Sequence, residues 1–129
     1  MFDYFPEDHS RKPLISIQKD VAQRAYIHDD FNDIKLIAGI DQAFTGKIIF
    51  SGIIVLDYYS HEIVEREFSI GEVNFPYIPT LLGFREGPSM ISAYEKLKNH
   101  PDVLIKASSA APPGLHCVYA RAPRVHTRG

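Results

Sequence analysis

The sequence predicts an α/β fold: a helix, a three-stranded antiparallel meander, a crossover helix and a parallel strand, incomplete toward the C-terminus. Three observations predict it. Apolar residues recur at three- and four-residue steps in two separate stretches, the mark of amphipathic helices. Between them lie three runs rich in β-branched and aromatic residues, split by short turn clusters. After the second helical stretch comes Val103-Leu104-Ile105, a short apolar run of the kind that a helical crossover returns to a sheet.

Each element follows from its residues. Residues 1–13 mix aromatic, acidic and proline residues without a period and read as an arm. Over 14–28, Leu14, Ile17, Val21 and Ala25 form an apolar stripe, with Gln18, Lys19, Gln23 and Arg24 on the wet side. Asp29-Asp30-Phe31-Asn32-Asp33 is a turn cluster. The first strand is centred on Ile40 and ends at Asp41. Ile34, Leu36, Ala38 and Ile40 fall on one face, Ile37 and Gly39 on the other, so a strand covered on both sides is expected. Gly46 turns the chain into a second strand over 48–57, where Ile53, Ile54 and Val55 follow one another. A third strand over 62–68 is more charged and belongs nearer an edge. The loop over 69–79 is stiffened by Pro76 and Pro79 on either side of Tyr77. The second helix begins no later than Pro88, read as a first-turn proline, and buries Met90, Ile91, Tyr94 and Leu97. Asn99-His100-Pro101 stops it.

A chain of 129 residues, 45% hydrophobic, suits one domain with a core or the larger part of a bigger one. No run approaches the roughly 20 apolar residues of a membrane helix. The N-terminus lacks the basic start and apolar run of a signal peptide, so a cytoplasmic protein is expected, and a monomer is expected besides. The single cysteine, Cys117, and six scattered histidines offer no metal-site spacing. All 16 acidic residues precede residue 106, whereas Lys106, Arg121, Arg124 and Arg128 follow with no acid among them. Ala, Pro, Arg and Gly make up 13 of residues 107–129, and no strand alternation or helical stripe is legible there. The chain therefore divides into residues 1–105, which carry the fold, and an atypical basic tail over 106–129.

Two acids carry the chemical reading. Asp41 falls on the Ile37/Gly39 face, where an unpaired carboxylate is costly to bury. Glu86, in Phe84-Arg85-Glu86-Gly87-Pro88, stands just ahead of the second helix. If that helix packs on the sheet, the two acids approach each other, and close carboxylates repel unless a cation lies between them. Oxygen-only ligands favour Mg²⁺ or Mn²⁺, which can activate water. The plain structural readings are a turn-capping Asp41 and a helix-start Glu86 paired with Arg85.

Ile37-Ala38-Gly39-Ile40-Asp41, Pro76-Tyr77-Ile78-Pro79 and Leu82-Gly83-Phe84-Arg85-Glu86-Gly87-Pro88 together resemble the successive motifs of the endonuclease V family. The resemblance runs from about Leu14 to Ile105. It implies an RNase H-like fold and a Mg²⁺-dependent (or Mn²⁺-dependent) endonuclease that repairs deaminated adenine. Such an enzyme cuts DNA, and in some relatives RNA, on the 3′ side of deoxyinosine or inosine. Asp41 and Glu86 would then be catalytic metal ligands. Tyr77 would be the wedge that replaces an extruded base, and Pro79, Leu82 and Arg85 would line the substrate site.

The sequence departs from the resemblance twice. Thr80 stands where the family usually has Gly. More severely, the family continues after Pro-Asp-Val-Leu-Ile with Val-Asp-Gly and then His-Pro-Arg; that Asp is its third metal carboxylate. Here those positions are Lys106 and Ala107, and the family's later Lys and Asp near the site are missing. Codons permitted for residues 109–115 can spell His-Pro-Arg-Gly-Phe when read one base along. Two alternatives stay open: a frameshifted tail or a genuine basic arm. Either way, impaired activity is expected, with a non-catalytic nucleic-acid-binding remnant as the rival reading.

Overall fold

The computed structural model describes residues 11–24, 33–107 and 117–121. Residues 1–10 of the predicted arm, the stretch 25–32, which includes the predicted end of the first helix, and the tail segments 108–116 and 122–129 lie outside the described residues. The elements are α1 (Arg11–Arg24), β1 (Leu36–Thr45), β2 (Ile48–Asp57), β3 (Ile63–Glu72), α2 (Leu82–Glu95), β4 (Val103–Ala107) and β5 (Cys117–Arg121). They form one sheet in the order β3-β2-β1-β4-β5.

The meander and the crossover are as the sequence predicts. β1 and β2 zip antiparallel from Leu36↔Asp57 to Thr45↔Ile48. The turn between them is tight because Gly46 takes φ +56°, a conformation open to glycine at no steric cost. β3 pairs antiparallel with β2 and, carrying more charge, lies at the edge. β4 runs parallel to β1, from Ile37↔Val103 to Ile40↔Lys106, which requires the crossover that α2 supplies.

Several details differ from the expectation. α1 already starts at Arg11, inside the predicted arm, and β3 runs on to Glu72, through the start of the predicted loop, because its ladder with β2 continues to Ile48↔Glu72. β1 does not end at Asp41, because its hairpin with β2 carries the ladder on to Thr45. α2 starts six residues before Pro88, so that proline sits inside the helix and Glu86 is part of it rather than ahead of it. A 3₁₀ turn over Pro79–Leu81, with a proline at its start, leads directly into the helix and supplies the early nucleus. The helix also ends earlier, at Glu95, where the Lys96 and Leu97 amides fold back onto the Ala93 and Tyr94 carbonyls. Finally, Cys117–Arg121 forms β5, antiparallel to β4, in a stretch with no legible alternation. An edge strand gains its ladder from main-chain groups, which any side-chain pattern can offer.

The main core lies between the sheet and α2. Ala38 and Ile40 of β1 and Ile53 and Val55 of β2 pack with Ala93, Tyr94 and Leu97. A second cluster joins Leu14 of α1 to Phe75, Leu81 and Phe84, with Gln18 Nε2 donating to the Thr80 carbonyl at 2.8 Å. α1 thus braces the loop ahead of α2. It does not lie on the sheet's other face, so among the described residues the middle of β1 is covered on one side rather than two. A Cβ built at Gly39 or Gly52 would meet nothing within 4 Å, and the nearby Ile54 is 43% exposed.

Candidate active site

Strand alternation sorts the two neighbours at the middle of β1 onto different faces. Gln42 follows Ala38 and Ile40 onto the α2 side. Its Nε2 donates to Ser51 Oγ at 2.8 Å and to the main-chain carbonyl of Glu86 at 2.9 Å. Beneath it, Ser51 donates to Ser89 Oγ at 2.7 Å, and Ser69 donates to the Ser89 carbonyl at 2.7 Å. This polar strip joins four elements, β1, β2, β3 and α2, and fixes the start of α2 over the sheet. The Gln42 Oε1 atom is buried there with no protein partner.

Asp41 takes the opposite face. It is exposed, lies opposite Gly52 in the ladder and accepts a hydrogen bond from the Gln42 amide at 2.8 Å. Glu86 stays on the α2 side, and its Oε2 accepts from Lys106 Nζ at 2.6 Å. The two side chains of that ion pair are only 15% (Glu86) and 29% (Lys106) exposed. Lys106 reaches Glu86 because it pairs with Ile40 on β4 and so shares the α2 face. Lys106 is the last residue of β4 paired with β1, and the residue that follows it is Ala107. Asp41 and Glu86 are therefore carried to the same end of the sheet but directed to different partners. Among the described residues no group of three His, Cys, Asp or Glu side chains could hold a metal ion.

The remaining predicted residues gather on the loop ahead of α2. Arg85 Nη1 donates to the Phe75 carbonyl at 2.8 Å. Its guanidinium lies over the Phe44 ring at 5.4 Å and the Tyr77 ring at 5.9 Å, both within cation–π range. Arg85 thus ties the Tyr77 loop to the end of β1, while the Tyr77 ring remains 68% exposed. Pro79 opens the 3₁₀ turn and Leu82 opens α2, half-buried. Next to Arg85, an open cleft of about 450 Å³ is lined by Lys47, Glu72, Asn74 and Phe75.

Two participants escaped the sequence reading. Gln42 was legible in principle, since the residue after a strand Asp must face the other way. Lys106 as the partner of Glu86 was not, because the pairing depends on the β1–β4 register.

Comparison with known proteins places this geometry. The sequence model of the endonuclease V family matches residues 17–109. Endonuclease V of Dictyoglomus turgidum is 40% identical over 91 residues, covering 70% of this chain and 40% of that protein. Endonuclease V of Clostridium acetobutylicum is 39% identical over 105 residues, covering 77% and 45%. The Bacillus subtilis endonuclease V crystal structure superposes with a TM-score of 0.73 at 28% identity, over 82% of this chain and 48% of that one. Ciona intestinalis endonuclease V, in complex with a 24-mer DNA containing an inosine followed by a ribo-adenosine, shares the fold (TM-score 0.61, 23% identity, 67% and 38% covered). The chain spans less than half the length of these relatives. From α1 through β4 its sequence and its RNase H-like architecture agree with theirs, and the chain belongs to the endonuclease V family.

Proposed function

We propose that this chain carries the front part of an endonuclease V-type nuclease, directed at the phosphodiester on the 3′ side of deoxyinosine in DNA, or of inosine in RNA. In this reading it works as a cytoplasmic monomer in repair of deaminated adenine, and the chain as it stands is impaired. The observation that carries the reading is the family match across residues 17–109, which includes the Tyr77 loop and the Glu86 helix. Further support comes from the Ciona intestinalis relative, whose structure holds inosine-containing DNA.

Asp41 and Glu86 are the proposed ligands for Mg²⁺ or Mn²⁺, an ion that would supply activation of water at a phosphodiester. The residues present do not fit such an ion. Glu86 is taken by Lys106, Asp41 leaves β1 on the other face, and the residue after Lys106 is Ala107, not an acid. What this chain's residues can do is bind. Tyr77 offers an exposed ring on a loop braced by Arg85, suited to stack where a base has been turned out, and such stacking is worth about 1–3 kcal/mol per base.

The test is nicking of an oligonucleotide bearing one deoxyinosine, with Mg²⁺ or Mn²⁺ present. This chain should cut at least ~10²-fold more slowly than the Clostridium acetobutylicum relative, the scale of losing one charge-stabilising group. Robust inosine-dependent nicking, abolished by Asp41→Ala, would overturn the claim of impairment. The Glu86–Lys106 pair favours a second reading, a non-catalytic nucleic-acid-binding remnant. That reading expects retention of inosine-containing strands without cutting, weakened by Tyr77→Ala.

A further inference from the structure

We infer that the Lys106 ammonium is the built-in cation of Glu86, so that this carboxylate takes no divalent metal in this chain. The inference rests on the ion-pair geometry and not on the nuclease reading. The Nζ–Oε2 separation of 2.6 Å is that of a short charge-assisted hydrogen bond. Both side chains are largely shielded, so neither charge is screened by solvent as a surface pair would be.

Both partners are held from behind. Lys106 sits in the parallel ladder beside Ile40, and the Glu86 main chain is anchored by Gln42 Nε2 at 2.9 Å. Both backbones are therefore fixed, and only the two side chains have to choose a rotamer for the pair to form. A Mg²⁺ or Mn²⁺ ion bound to Glu86 would sit about 2 Å from its oxygen, within a few ångströms of the ammonium. Two cations so close in a shielded site repel strongly. Moving Lys106 aside would strip a partly buried charge of its partner, a costly change. The ion would gain little in return. Asp41 leaves β1 on the far face, and the residue after Lys106 is Ala107, so one carboxylate stands where hard cations want several oxygens.

The pair also accounts for how this end of the sheet closes. With Lys106 in place, the start of α2 and the end of β4 are joined by one neutral unit. Fold and any nucleic-acid binding should then be indifferent to chelators.

The experiment is Mn²⁺ titration of the full chain without nucleic acid, followed by loss of the free-ion magnetic resonance signal and by thermal shift. The unaltered chain should leave the free signal as in buffer, and its melting temperature should not move. Lys106→Met combined with Ala107→Asp should bind Mn²⁺ at least about tenfold more tightly, since a like charge is removed and a carboxylate added. Lys106→Arg with Ala107→Asp keeps the cation and should stay closer to the unaltered chain. Saturable binding by the unaltered chain that disappears in Glu86→Gln would overturn the inference, and needs no other variant to be folded. Equal affinities for the Met and Arg double variants would overturn it as well. Absence of inosine-dependent nicking would bear on the nuclease reading alone.

Discussion

Ile53 and Ile54 are the same residue type, adjacent on one strand, yet Ile53 is 1% exposed and Ile54 is 43% exposed. The difference comes from the two faces of the sheet. On one side, Ala38, Ile40, Ile53 and Val55 lie under α2, and the polar strip of Gln42, Ser51, Ser69 and Ser89 completes the seal. On the other side, toward β3, Phe50, Ile54, Phe68 and Ile70 stand 39–63% exposed around Gly52 and Asp41. The lesson is that an apolar run names a strand but not what covers it. The same contrast separates the two acids: Glu86 belongs to the covered side and has a fixed partner, whereas Asp41 belongs to the open side and bonds only to its neighbour's amide among the contacts described.

The sharpest way to break this comparison is to truncate both isoleucines. Ile53→Ala should cost about 2–4 kcal/mol, the range for deleting buried methyl groups from a packed core. Ile54→Ala should cost less than about 1 kcal/mol, as surface changes do. Urea unfolding midpoints measure both, and equal losses would mean the two faces are equally packed. Next in size is Ser89→Ala. It removes the acceptor of the buried Ser51 hydroxyl at 2.7 Å and should cost about 1–2 kcal/mol, the scale of a buried group left without its partner.

A smaller effect depends on pH. Glu65, on the rim of the covered side, accepts from the Lys98 and Asn99 amides at 2.8 Å each and from Asn99 Nδ2 at 3.0 Å. The Lys98 amide leads the causes that hold its carboxyl below the ordinary 4.5; the Asn99 bonds and the Lys98 charge add to it, and partial burial opposes them. A carboxyl lowered by folding contributes stability that is fully present above its unfolded value of about 4.5 and is lost as pH falls through the folded one. Glu65→Gln should therefore flatten part of the acid limb of a stability–pH curve. Asp57 keeps the rest, because the Ser60 and Tyr59 amides lower it in the β2–β3 turn. An unchanged acid limb in Glu65→Gln would show that this clasp does not form in solution.

Much of the architecture was legible because local chemistry and tertiary structure agree. The β1–β2 turn follows from Gly46, the edge position of β3 from its charges, and the α2 stripe from Met90 and Tyr94. The sequence was less informative where one element depends on another. Pro88 looks like a helix start in isolation, yet the 3₁₀ turn at Pro79–Leu81 nucleates the helix sooner. β5 has no pattern of its own and is defined by the β4 ladder. At the candidate site, the types and order of Asp41, Tyr77, Arg85 and Glu86 could be read directly. The facing of Asp41 away from α2 and the capture of Glu86 by Lys106 could not, since both follow from strand register.

The gentlest probe of the open face is Ile70→Lys. Ile70 is 60% exposed on the edge strand and pairs in the ladder with Phe50, itself 39% exposed. A lysine stem can lie along the Phe50 ring while its ammonium reaches water, so stability should change by no more than about 0.5 kcal/mol. A charge on an edge strand also opposes edge-to-edge pairing, so light scattering at high protein concentration should fall. A loss of 2 kcal/mol or more that grows with protein concentration would mean that this face is buried in solution against a second copy. The contrast between Ile53 and Ile54 would then describe one chain alone and not the protein as it associates.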